Sequence, residues 1–124
     1  MHPISVFYLA RLRAEKLKGR EKEEFIGKVI GMKERLEHAR TKVEIEEIAD
    51  EVLSLIRRCG RLTEEEVGKS TDYFENTRRR YAPAPGEELT LEDEKDLIFN
   101  ELRALIEENK EENDEEKEEY DNEN

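Results

Sequence analysis

One cysteine, three prolines and no tryptophan occur in a chain of 124 residues, of which only 6% are aromatic. Cys59 stands alone, so an intramolecular disulfide and a cysteine zinc site are excluded. With few aromatics and no alternating Val/Ile/Thr runs, a β-sandwich is disfavoured. No stretch approaches the ~18 consecutive apolar residues of a membrane span, and no membrane partner is expected. The apolar patch at residues 1–10 lacks the charged front and small-residue cleavage site of a signal peptide. The cytoplasm is the expected compartment. Histidine is also scarce: His2 and His38 belong to no HxxxH or HExxH pair, which argues against a zinc enzyme, and both read as solvated side chains.

Charge, by contrast, is abundant, at 45% of residues against 35% hydrophobic. Pervasive Glu, Lys and Arg resemble a thermophile's composition, with its surface ion-pair networks. The net charge of −12 is unevenly distributed. Residues 1–80 hold 18 Lys/Arg against 16 Asp/Glu, whereas residues 81–124 hold 4 against 18. A near-neutral body therefore carries an extension of net charge −14.

Helices suit this composition, because each needs only a narrow apolar stripe. Three threonines precede an acid three positions on, at Thr41–Glu44, Thr63–Glu66 and Thr90–Asp93, as in a capping box. Leu62 and Val67 stand where a hydrophobic staple would flank the second of these. Five helices are predicted, over about 3–18, 20–40, 42–59, 64–80 and from 91 onward. The third is the clearest, with Ile45, Ile48, Ala49, Val52, Leu55 and Ile56 at i, i+3, i+4 spacing. The fourth has a thin stripe at Val67, Phe74 and Tyr81. In the last, Leu91, Ile98, Leu102, Leu105 and Ile106 are expected to face inward. The fold class is thus all-α, four to five helices in a bundle or antiparallel hairpin array. A helical domain over 1–106 includes a linker at 81–89, where Pro83, Pro85 and Gly86 interrupt the last two helices. Residues 107–124, with 11 acids and one aromatic, read as a disordered acidic tail. Deleting 111–124 is expected to move the calorimetric melting midpoint by less than ~5 °C; a larger loss would show a docked tail.

No constellation points to catalysis or to a cofactor. Cys59 continues the core stripe of the third helix and reads as a small apolar residue. No carboxylate is expected within an apolar stripe, and the acids lack the spacing of a calcium loop. Two groups are candidates for recognition. Arg57, Arg58, Arg61, Lys69, Arg78, Arg79 and Arg80, followed by Tyr81, could contact phosphate or stack on a base, or could simply offset helix C-terminal dipoles. Ile4, Val6, Phe7, Tyr8, Leu9 and Leu12 wrap around more than one face of the first helix, which suggests an interface. Gly27 and Gly31, four apart in the second helix, hint at close approach by another helix.

Residues 89–110, from Leu89-Thr90-Leu91-Glu92 through Leu105-Ile106-Glu107-Glu108-Asn109-Lys110, resemble the last helix of the α-helical domain in archaeal GINS replication subunits. The run Ala39-Arg40-Thr41-Lys42-Val43-Glu44-Ile45-Glu46-Glu47-Ile48 and the Phe7-Tyr8 pair are similar to other parts of that domain. The family usually adds a small β-domain, for which this chain has no strand-like segment. The resemblance implies a non-catalytic scaffold that assembles with sister subunits and contacts the replicative helicase. The expected function is accordingly a helical protein–protein interaction subunit or adaptor, with the same chain or a sister subunit as partner. A nucleic-acid-binding module using the basic residues at 57–80 is the alternative.

Overall fold

A computed structural model describes residues 1–82, 84 and 86–109 in full and the backbone alone over 110–122. It is all-α, with no strand among the described residues. In chain order the helices are α1 (Pro3–Lys16), α2 (Gly19–Ile30), α3 (Lys33–His38), α4 (Lys42–Arg58), α5 (Glu64–Tyr81) and α6 (Leu91–Asn122). Of the disordered tail expected over 107–124, the side chains from 110 onward and residues 123–124 lie outside the described residues. Residues 107–109 belong to α6, not to a tail.

The apolar residues of α1 are distributed around the helix, and such a helix is stable only when surrounded. It is the central element, packed against α2, α4, α5 and α6. Ile4, Val6, Phe7, Leu9 and Ala10 are at most 1% exposed. Pro3 opens the helix, and His2 caps it by accepting from the Ile4 amide at 3.1 Å. His2 is therefore not the solvated residue expected.

The predicted helix over 20–40 is two helices, because the chain turns at Gly31 and Met32. There the Met32 amide reaches back only three residues, to the Val29 carbonyl. Phe25, Ile26, Val29 and Leu36 face the core. So do Ile45, Ile48, Ala49, Val52 and Ile56 on α4.

Each predicted threonine caps its helix. Thr63–Glu66 is a full reciprocal box, and Thr90 and Asp93 also exchange both bonds. At Thr41 only half forms, since Glu44 accepts from the Arg40 amide instead.

Helix α5 docks by a different face from the one its apolar residues suggest. Val67 is 36% and Tyr81 47% exposed. The buried residues are Glu66, Ser70 and Thr77, with Tyr73 half-buried between them. Small side chains let α5 sit close to α1, where the Ser5 hydroxyl donates to the Ser70 carbonyl at 3.2 Å. Tyr8 and Tyr73 stack at 4.2 Å between ring centres.

Candidate functional site

The α1 residues proposed as an interface are the protein's own core. Ile4, Val6, Phe7 and Leu9 are buried by the surrounding helices, and Tyr8 and Leu12 are half-buried against Tyr73 and the core. The apolar surface of α1 is too wide for one neighbouring helix, and four helices of the same chain cover it where another chain is expected. The glycine reading also changes. Nothing lies within 4 Å of a Cβ placed on Gly27, and at Gly31 only α2's own backbone does. Among the described residues no other helix packs on them, and both are exposed.

The basic residues do not form one patch. Arg57, Arg58 and Arg61 stand where α4 ends and α5 begins, whereas Arg78, Arg79 and Arg80 occupy the last turn of α5. An 18-residue helix separates the two groups by about 27 Å at 1.5 Å per residue. Lys69 pairs with Glu65 at 3.2 Å and Arg78 with Glu75 at 3.5 Å. Arg57, Arg58, Arg61, Arg79 and Arg80 are exposed.

Buried carboxylates are the feature that sequence reasoning missed. Glu66, Glu94 and Glu101 are each no more than 4% exposed. Glu66 faces Arg13, itself buried, at 3.4 Å. Arg13 also donates to the carbonyls of Ile56, Gly60 and Arg61, closing the C-terminal end of α4 from a neighbouring helix. Gly60, at φ +142°, leaves room for it, as a Cβ there would lie 2.8 Å from Nη1. Burial pushes the Glu66 carboxyl up, but the Thr63 amide, Arg13 and Lys16 outweigh it and hold the group below its ordinary value.

Glu101 accepts from Arg11 at 2.8 Å and from the Tyr73 hydroxyl. Burial and this carboxylate push the Tyr73 phenol up to about 12. Arg11 also reaches Glu108 at 2.8 Å, so the α6 turn beyond Ile106 is tied to α1. Glu94 lies 3.2 Å from the His2 Nε2 and 3.5 Å from the Lys42 Nζ. The His2 ring in turn packs on Phe74 at 4.0 Å. Each buried acid thus has a cationic or imidazole partner, and each joins two or more helices. Periodicity could have flagged them, since Glu94 and Glu101 share the inward face of Ile98, Leu102 and Leu105. Cys59 is half-buried as expected, and burial followed by Glu21 pushes its thiol up, away from the thiolate that nucleophilic chemistry requires.

An open cleft of about 630 Å³ lies at the junction of α3, the end of α5 and α6. Its apolar lining includes Tyr81, Phe99 and Ile106, with Tyr81 and Ile106 among the largest exposed hydrophobics of the chain. Ile106 was expected to face inward and instead is 37% exposed. Lys33, Glu37, Asp96, Arg103 and Glu107 surround this floor. An apolar centre with a charged rim is the anatomy of a protein-docking site. Among the described residues, no helix is long and apolar enough to cross a membrane, and no group of His, Cys, Asp and Glu is arranged to hold a metal ion. No known protein family, curated protein or solved structure matches the chain.

Proposed function

We propose that this chain is a non-catalytic helical interaction subunit, which docks a partner protein in the Tyr81–Phe99–Ile106 cleft. The observation that carries the reading is the exposure of Tyr81 and Ile106 on one cavity, in a protein that otherwise buries most of its large apolar side chains. The buried acids support a non-catalytic role, because each forms ion pairs that join helices. The resemblance to GINS subunits extends the proposal to a scaffold of a DNA-replication complex, with a sister subunit as partner. That extension rests on the sequence of 89–110, of the 39–48 segment and of the Phe7-Tyr8 pair. The alternative of a nucleic-acid module loses support from the ~27 Å between the two arginine groups, although Arg79, Arg80 and Tyr81 remain adjacent.

A peptide-display selection on the full chain, counter-selected on Tyr81→Glu/Ile106→Glu, tests both readings. Both positions are exposed, so the variant is expected to fold. Apolar-anchored helical peptides should bind the wild type at least about tenfold more tightly than the variant. No complex with duplex or single-stranded DNA is expected in an anisotropy titration at physiological salt. Peptides that ignore the double substitution would remove the cleft from the proposal. A micromolar DNA complex that weakens steeply with salt would favour the alternative.

A further inference from the structure

A second surface runs along the opposite side of the helix that makes the clearest sequence pattern. Residues Glu47, Glu51, Ser54, Leu55 and Arg58 form one stripe of α4, spaced by three and four. Beside it lie α2 and α3, running antiparallel, with Lys28 near Arg58 and His38 near Glu44. Between them is a furrow made of two cavities of about 370 and 410 Å³ that meet at Gly31. Along α4 from Glu44 to Arg58 it extends about 21 Å at 1.5 Å per residue. Its floor is apolar, with Ile48 under one half and Met32 and Leu55 under the other.

The furrow is polarised. Glu34 and Glu47 stand at one end and Lys28 and Arg58 at the other, all four exposed. None of them has an ion-pair partner among the described residues, whereas Arg35 and Glu51 pair with each other across the middle. We infer that this furrow is a self-complementary interface, and that its occupant is a second copy of the chain related by a two-fold axis near Gly31. A two-fold operation sets the acidic end of one copy against the basic end of the other, twice. The charges at the two ends of the furrow match a second copy in this orientation.

The glycines fit the same arrangement. Gly27 and Gly31 weaken a helix interior, and no contact within the chain requires the absence of a side chain at Gly27. On the exposed face of α2 they let another backbone approach. The furrow is lined wholly by residues of the near-neutral segment 1–80. This inference does not depend on the Tyr81 cleft, which faces a different set of helices.

Sedimentation equilibrium of the full chain at about 100 µM should give twice the 14.7 kDa monomer mass, and added salt should lower the dimer fraction. Lys28→Glu/Arg58→Glu and, separately, Glu34→Lys/Glu47→Lys should each sediment as monomers with the wild-type circular dichroism. An equimolar mixture of the two should return the dimer mass, because each now supplies the charge the other needs. Gly27→Gln, at an open position that leaves the fold intact, should weaken dimerisation about tenfold or more. A wild type that is monomeric at this concentration would overturn the inference, as would a tail of the same chain occupying the furrow. Reversed variants that stay dimeric, or a mixture that stays monomeric, would overturn it equally.

Discussion

Replacing Phe7 by alanine is expected to lower stability by about 3–5 kcal/mol, through lost burial and the cavity left behind. In a domain of this size that corresponds to a fall of roughly 10–20 °C in melting temperature. Phe7 is 1% exposed on a helix enclosed by four others, so no single neighbour can move in to fill the space. The double substitution Phe7→Glu/Leu9→Glu should go further and abolish the fold, since it places two unpaired carboxylates in the core. Thermal unfolding followed by circular dichroism measures both. As a control, Val43→Glu changes a residue that is 60% exposed and should stay within about 0.5 kcal/mol of wild type. A folded Phe7→Glu/Leu9→Glu protein with its melting point intact would show that α1 faces a partner and not the chain's own core.

The contrast between α1 and α4 explains what sequence could and could not disclose. On α4 the apolar residues lie on one side, so periodicity names the buried face correctly at Ile45, Ile48, Val52 and Ile56. The helix starts at Thr41, Thr63 and Thr90 were equally legible, because a cap is a local interaction within four residues. Helix α1 has apolar residues all round, and sequence alone could not decide between a central position and an intermolecular one. Tertiary packing settles that question, through α2 and through α4, α5 and α6, which lie much further along the chain.

Helix α5 was misread for a different reason. An apolar stripe is expected, whereas the buried face is polar: Glu66 meets Arg13, the Tyr73 hydroxyl donates to Glu101, and the Ser70 carbonyl accepts from the Ser5 hydroxyl while the Ser70 hydroxyl donates to Val67 within α5. These partners lie up to 65 residues away in the chain for Ser5 and Ser70, and no local pattern announces them. The Tyr81 cleft was partly visible for the same reason in reverse. Tyr81 and Ile106 were assigned to inward stripes, and only the assembled helices leave them facing outward together.

Arg13 and Glu66 carry the other large expected effect. Arg13→Met should cost about 3–5 kcal/mol, because it leaves a buried carboxylate without its cation. It also strips the Ile56, Gly60 and Arg61 carbonyls of a donor, and those carbonyls remain after Glu66 is changed. Arg13→Met/Glu66→Gln should therefore be less destabilised than the sum of its parts, by about 0.5–3 kcal/mol, without returning to wild type. The pH dependence isolates the carboxylate. Glu66 titrates below its ordinary value in the folded chain, so above that ordinary value it is ionised in both states and its stabilisation is complete. As pH falls below about 4.3, the unfolded chain takes up the proton first, and stability drops until the folded carboxyl is protonated too. Urea titrations of wild type and Glu66→Gln between about pH 7 and pH 2 should therefore show a gap that is constant at the upper end and narrows on acidification. A gap of unchanged width down to the lowest pH would mean that Glu66 contributes shape and hydrogen bonding at the α5 cap, and that its charge is not part of what joins α5 to α1.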